Sequence, residues 1–357
     1  MRGLQARAGT PKGTLTIRRG RFSARTSVRS VTTIAVISAG VVALMVWATT
    51  LGSYAISPAE LWGLVEGTAP QRVHTVVVEW RLPRIVAAVV FGIALGISGA
   101  VFQSLTRNPL GSPDIIGFAS GAYTGVVVTL LLGATGYAAR GAGALIGGLL
   151  TALAVYLLAF RRGIQGFRLI IIGIALSAFL DGINTWFTAK VDVDLALHAA
   201  VWGAGSLGAV NWTSVGIGSA VLAVLLVAAP EAQRRMRRLE LGDDAAAALG
   251  VPVEPTKLAL ILIGVAATAL VTAAAGPIAF IALAAPQIAR RLTGQGASVD
   301  LAGSAAVGAA LLLGADLIAL HAVPGVPLPT GAVTICIGGG YLVWLLVRES
   351  RRERSTA

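Results

Sequence analysis

The sequence predicts an all-α polytopic membrane protein with about ten transmembrane helices, one of them short and broken. Three observations carry this. Charged residues make up only 12% of the 357-residue chain, about half the share an ordinary water-facing surface requires. Apolar runs recur along the chain, most of them near the length of about 20 residues that crosses a hydrocarbon core. Lys and Arg collect in alternate loops between those runs, as topology rules demand. The short alternating segments of a β-barrel are not the pattern here.

Taken in order, residues 1–30 are rich in Arg and Lys, contain no acid and lack apolar periodicity. They read as a disordered cytosolic tail suited to anionic lipid. Arg18-Arg19-Gly20-Arg21-Phe22 resembles a twin-arginine signal, but the apolar run behind it suits a retained anchor better than a cleaved segment. Candidate spans follow at 31–51, 83–105, 115–134, 141–160, 168–188, 212–229, 256–275, 278–290, 301–320 and 330–347. Together they form a single transmembrane domain over 31–348, closed by a cytosolic tail at 349–357. The segment at 278–290 is too short to cross unaided. It is bracketed by Gly276-Pro277 and interrupted by Pro286, so its free backbone groups require enclosure by the bundle.

Charge sets the orientation. With both termini cytosolic, Arg72, Arg81, Arg84, Arg140 and Lys190 fall outside and every other Lys and Arg falls inside. Trp47, Trp62, Trp80, Trp186, Trp202 and Trp212 lie near outer helix ends, as an interfacial belt does. The long outer segment 52–82 contains Ser57-Pro58-Ala59-Glu60, the signature of a capped short helix. The long inner connection 230–255 follows Pro230 with a basic cluster, then Leu239, Glu240, Leu241, Gly242, Asp243, Asp244, four Ala, Leu249 and Gly250. Acids suit a helix start and Gly its end, so a short amphipathic helix is expected on the cytosolic side.

The net charge of +12 does not make a nucleic-acid binder, because the basic residues are dispersed among short loops. A phosphate-binding P-loop pattern is missing, which leaves nucleotide hydrolysis to another chain. Gly203-Ala204-Gly205-Ser206-Leu207-Gly208 matches a dinucleotide fingerprint by letter but follows no strand. His74, His198 and His321 are too scattered for a metal site. Cys336, the single cysteine, reads as a small buried hydrophobe. The remaining signal lies inside the membrane. Ser177, Asp181, Asn184 and Thr188 share one helical face, and a carboxylate at that depth faces a cavity, a partner or a pathway. Gly92-x-x-x-Gly96 and Gly117 with Gly121 and Gly125 are close-packing motifs. Two mechanisms fit such a chain: a permease driven by separate ATPases, or a proton-coupled secondary transporter that protonates Asp181.

Several blocks bear on that choice. Arg81-Leu82-Pro83-Arg84, Ser98 to Gln103, Thr106-Arg107-Asn108-Pro109-Leu110, Pro113-Asp114 and Ala275-Gly276-Pro277-Ile278-Ala279-Phe280 stand together with Leu249-Gly250-Val251, Pro286 and Ile288-Ala289-Arg290. In these blocks the chain resembles the permease subunits of iron-siderophore and cobalamin ATP-binding-cassette importers, over about residues 55–350. The resemblance implies a subunit of the bacterial cytoplasmic membrane that works as a homo- or heterodimer around a central path. It binds two ATPase subunits inside, which hold ATP and Mg, and an extracytoplasmic substrate-binding protein outside. The chain itself would carry no cofactor and no catalytic residue. The cargo implied is a ferric siderophore or a cobalamin- or haem-like chelate. Residues 239–251 match the family's coupling helices, with Leu239, Leu241, Gly242, Asp243, Asp244, Leu249 and Gly250 as contacts. Arg81 and Arg84 match docking residues for the binding protein, and the stripe through Asp181 matches a pathway-lining helix. The chain departs from the family pattern at Gln287, Leu320, Pro327, Gly340 and Asp181, which points to a second, different permease chain as partner.

Overall fold

The computed structural model describes residues 14–356 apart from 20–21, 53, 115, 135, 161–162, 164 and 295–298. A hairpin of β1 (Thr14–Arg19) and β2 (Phe22–Ser27) precedes a helical bundle. The disordered tail expected over 1–30 is thus corrected for 14–27, where an antiparallel ladder pairs Thr14 with Ser27 and Arg19 with Phe22; residues 1–13 lie outside the described residues. β-branched Thr and Ile suit that pairing, a signal hidden by the basic composition.

The helices are α1 (Val28–Thr50), α2 (Pro58–Glu66), α3 (Gln71–His74), α4 (Leu82–Thr106), α5 (Phe118–Leu131), α6 (Tyr137–Ala159) and α7 (Gly166–Lys190). After these come α8 (Val193–Gly203), α9 (Trp212–Leu239), α10 (Asp243–Ala248), α11 (Val253–Ala275), α12 (Ile281–Thr293), α13 (Leu301–His321) and α14 (Thr330–Thr356). A π-wound turn at Thr75–Arg81 fuses α3 to α4. Among the described residues seven helices are long and apolar enough to cross a membrane, the fused Gln71–Thr106 helix included. Every expected span is occupied by a helix. Some features differ: the fused turn carries the α4 span back to Gln71, α9 runs through Pro230 to Leu239, and α8 is an added short helix. A proline costs little within α9 if the freed carbonyl meets solvent near the membrane edge.

α4 is the central post, with most of its residues buried from Ala87 to Leu105. It packs on α13, α11, α12 and α9. The α4–α13 approach depends on missing side chains: a Cβ on Gly92 or Gly96 would strike the Gly308 or Ser304 carbonyl. Gly121 and Gly125 meet Gly147 and Gly143 of α6 in the same way, so both glycine motifs act as close contacts. These contacts build two cores. One surrounds α4; the other joins α5, α6, α7 and α8 through Phe118, Leu169 and Val155.

The broken helix is enclosed as its composition requires. The chain leaves α11 at Gly276 and enters α12 at Phe280, a left-handed residue with φ of 67°. Along α12 the residues from Ile281 to Gln287 are all buried, Pro286 among them. Side chains supply partners in this region: Gln103 Nε2 donates to the Leu283 carbonyl at 2.9 Å, and Gln287 Nε2 to the Pro109 carbonyl at 2.7 Å. Gln287, a departure from the family pattern, therefore ties α12 to the Asn108-Pro109 loop. Cys336 is exposed on α14 instead of buried, because that face of α14 meets no helix of this chain among the described residues.

Candidate functional site

Three regions hold the residues singled out by sequence. The first is the face of α7. Its polar stripe divides. Asn184 is buried against α5, where its Nδ2 donates to the Ser120 carbonyl at 3.3 Å and its Oδ1 accepts from Thr124 Oγ1 at 2.9 Å. Ser177 and Thr188 are half-buried, and their hydroxyls donate back to the Gly173 and Asn184 carbonyls. Asn184 is thus interhelical glue, and the two hydroxyls are satisfied within α7. Asp181 alone of the four is exposed. The same helix also exposes Ile174, Phe179 and Trp186, and its spanning window is only 11% buried. An ionisable group on such a face needs a watered path or a second chain beside it.

The second region surrounds the start of α4. Arg84 forms a two-pronged ion pair with Asp316 of α13, its Nε to Oδ2 and its Nη2 to Oδ1 both at 2.8 Å. The Asp316 side chain is 2% exposed and that of Arg84 18%. Thr330 Oγ1, at the start of α14, donates to the same Asp316 Oδ1 at 2.7 Å. Arg81 donates to the Thr49 carbonyl at 2.7 Å and the Tyr54 carbonyl at 2.6 Å. Both arginines proposed for docking are therefore held by this chain's own groups, while Arg72, farther out on α3, is exposed. Their spacing in the sequence could not reveal this, since Asp316 and Tyr54 arrive from other elements.

The third region is the corner between α9 and α11. Gly242, with φ of 113°, turns the chain, and α10 runs from Asp243 to Ala248 before Gly250 ends it at φ of 77°. The expected acid-led, alanine-bodied, glycine-ended helix is present. Leu241 and Leu249 are exposed, whereas Leu239 is buried. Asp243 does not face away from the bundle. Its Oδ1 accepts from Arg107 Nη2 at 2.5 Å and its Oδ2 from Lys257 Nζ at 2.6 Å. Desolvation would raise the Asp243 pKa, but hydrogen bonds and charges from Lys257 and Arg107 together hold it below the ordinary carboxylate value. Glu240 accepts from Ser104 of α4 at 3.1 Å and from the Val299 amide at 3.3 Å. The roles of Arg107, Lys257 and Glu240 escaped the sequence reading; a Lys at the start of an apolar run is the one local signal that could have pointed to them.

A bundle of apolar helices around a buried post, enclosing a short helix interrupted by proline and carrying a short corner helix, defines a polytopic membrane permease. The chain belongs to the FecCD transport family, whose pattern matches residues 40–348. It is 46% identical, over 90% of its length and 97% of the relative's, to the ferric enterobactin transport system permease protein FepG of Escherichia coli. It is 32% identical to the iron(3+)-hydroxamate import system permease protein FhuG of Bacillus subtilis, over 84% of this chain and 92% of that one. A solved structure described as an inward-facing conformation of a metal-chelate type ABC transporter superposes with a TM-score of 0.79 at 25% identity, covering 89% of this chain and 99% of the other.

Proposed function

We propose that this chain is the membrane-spanning permease subunit of an ATP-binding-cassette importer that carries a ferric siderophore, or a related metal chelate, into the bacterial cytoplasm. The observation that carries the reading is the 46% identity to a ferric enterobactin permease over nearly the whole of both chains. In this reading both termini are cytosolic and ATP with Mg binds only to two partner ATPases. A second permease chain meets the exposed faces of α7 and α14, and a binding protein delivers cargo from outside.

The ATPases close on ATP and push on the corner at 239–251, where Leu241 and Leu249 offer apolar contact, with Gly242, Asp244 and Gly250 shaping the turn. The bundle then reorients, and cargo passes along the α7 face past Asp181. Arg81 and Arg84 shape the outer docking surface. To pair with a carboxylate of a binding protein, either would exchange an internal partner for an external one. Asp181 is also the one observation that favours a second reading, a proton-coupled carrier, since it is an exposed carboxylate on a spanning helix.

Purification of the tagged chain in mild detergent separates the two. A stoichiometric ATPase in the eluate, with uptake abolished by its removal, supports the importer. A chain that is stable and drives uptake without an ATPase establishes the carrier instead.

A further inference from the structure

The corner helix α10 has only six residues, too few to hold itself as a helix without tertiary support. It must nevertheless pass a push to the bundle if the importer reading above is right, and the present inference rests on that reading. Its start is held by one carboxylate with two cations from two different helices.

Lys257 lies near the start of α11, with a side chain only 6% exposed. It reaches Asp243 at 2.6 Å and Glu254 at 3.5 Å. A buried ammonium is costly unless carboxylates surround it, so its placement binds the start of α10 to α11. Arg107 is the left-handed cap of α4, with φ of 50°, a conformation uncommon outside glycine. From that cap its guanidinium spans two targets: the Asp243 carboxylate and the Leu239 carbonyl, the latter at 2.9 Å from Nη2. One arginine thus grips the end of α9 and the start of α10 together. One turn earlier on α4, Ser104 meets Glu240 at 3.1 Å.

We infer that Arg107 and Lys257 are positioning residues for energy coupling. Through Asp243 they lock the corner helix to the inner ends of α4 and α11, so that displacement of α10 moves the central post. Leu241 and Leu249 touch the ATPase; Arg107 and Lys257 transmit. α4 is suited to this because its far end is also clamped, by Arg84 on Asp316, and its packed length is rigid enough to move as one body.

Two measurements on Arg107→Ala, Lys257→Ala, the double variant and the conservative Lys257→Arg test this. Hydrogen exchange of the amides of Ala246 to Leu249 is read on the purified chain and needs no ATPase. Each alanine variant is expected to exchange on the order of 10-fold faster there, with Lys257→Arg close to wild type. In proteoliposomes holding the assembled transporter, the ratio of binding-protein-stimulated to basal ATPase rate is expected to fall several-fold in each alanine variant. The double variant should fall less than the product of the singles, because both act through one carboxylate. Unchanged exchange at α10 overturns the inference. So does faster exchange with a wild-type stimulation ratio, which would make the clamp a matter of local stability alone. If wild-type chain binds no ATPase, the importer reading fails separately, and the exchange result still decides whether the clamp exists.

Discussion

Asn184 and Asp181 share a face of α7 by sequence, yet the first is buried at 5% exposure against α5 and the second is open. Helical spacing groups residues within roughly a 60° sector, and the α5 contact edge runs through that sector. Asn184→Ala should therefore loosen the α5–α7 contact by about 1 kcal/mol, measured as a lowered unfolding midpoint in detergent with transport KM unchanged. Asp181→Asn should leave that midpoint unchanged and alter uptake rate or KM several-fold, measured with radiolabelled cargo; unchanged kinetics would remove Asp181 from the path. Asp243 makes a pH prediction. Its pKa is depressed below the ordinary value of 3.8, so the clamp contributes its full stability only above that pH. It is lost only as pH falls further, through the folded-state value. Limited proteolysis at the Arg237–Arg238 approach to the corner should stay slow from neutral pH down to mild acid. Rapid cleavage already near pH 6 would contradict an ionised, paired Asp243.

At the scale of elements, the starts of α4 and α14 and the end of α13 are joined at Asp316. Removing only Arg84 would leave a nearly buried carboxylate uncompensated, at a cost of about 3–5 kcal/mol. Arg84→Ala should thus lower folded yield and thermal stability before any effect on docking is read, and Asp316→Asn in the same chain should restore much of the loss. An Arg84→Ala chain as stable as wild type, with slower binding-protein association, would instead favour direct docking. The α4–α13 seam offers a second test. Gly96→Val would drive a side chain into the Ser304 carbonyl, so the two helices must part. Misassembly, read as aggregation during size-exclusion chromatography, is expected for Gly96→Val but not for Gly40→Val on α1, whose Cβ site is open.

At the scale of the whole molecule, the exposed faces of α7 and α14 carry apolar residues such as Phe179, Trp186, Ile335 and Val343. In the proposed pair of permease chains such faces meet, so cross-linking from Cys336, exposed on α14, is expected to capture a second permease chain; recovery of uncross-linked chain only would place the contact elsewhere. Much of this molecule was legible before any coordinates. Hydrophobic run length gave the places and order of the apolar helices, Ser57 to Glu60 the capped α2, and Gly242 to Gly250 the corner helix, because each depends on neighbours in sequence. The basic hairpin, α8 and the passage of α9 through Pro230 were not legible, since local composition there is compatible with more than one state. By itself the sequence determined a polytopic helical permease, the polar positions along α7 and the place of the short corner helix. Only the tertiary structure decided which polar groups are occupied: Arg84 by Asp316, Asn184 by Thr124, and Asp243 by Arg107 and Lys257. Such pairs join residues far apart in the chain, and no local periodicity records which charge will meet which once the helices pack.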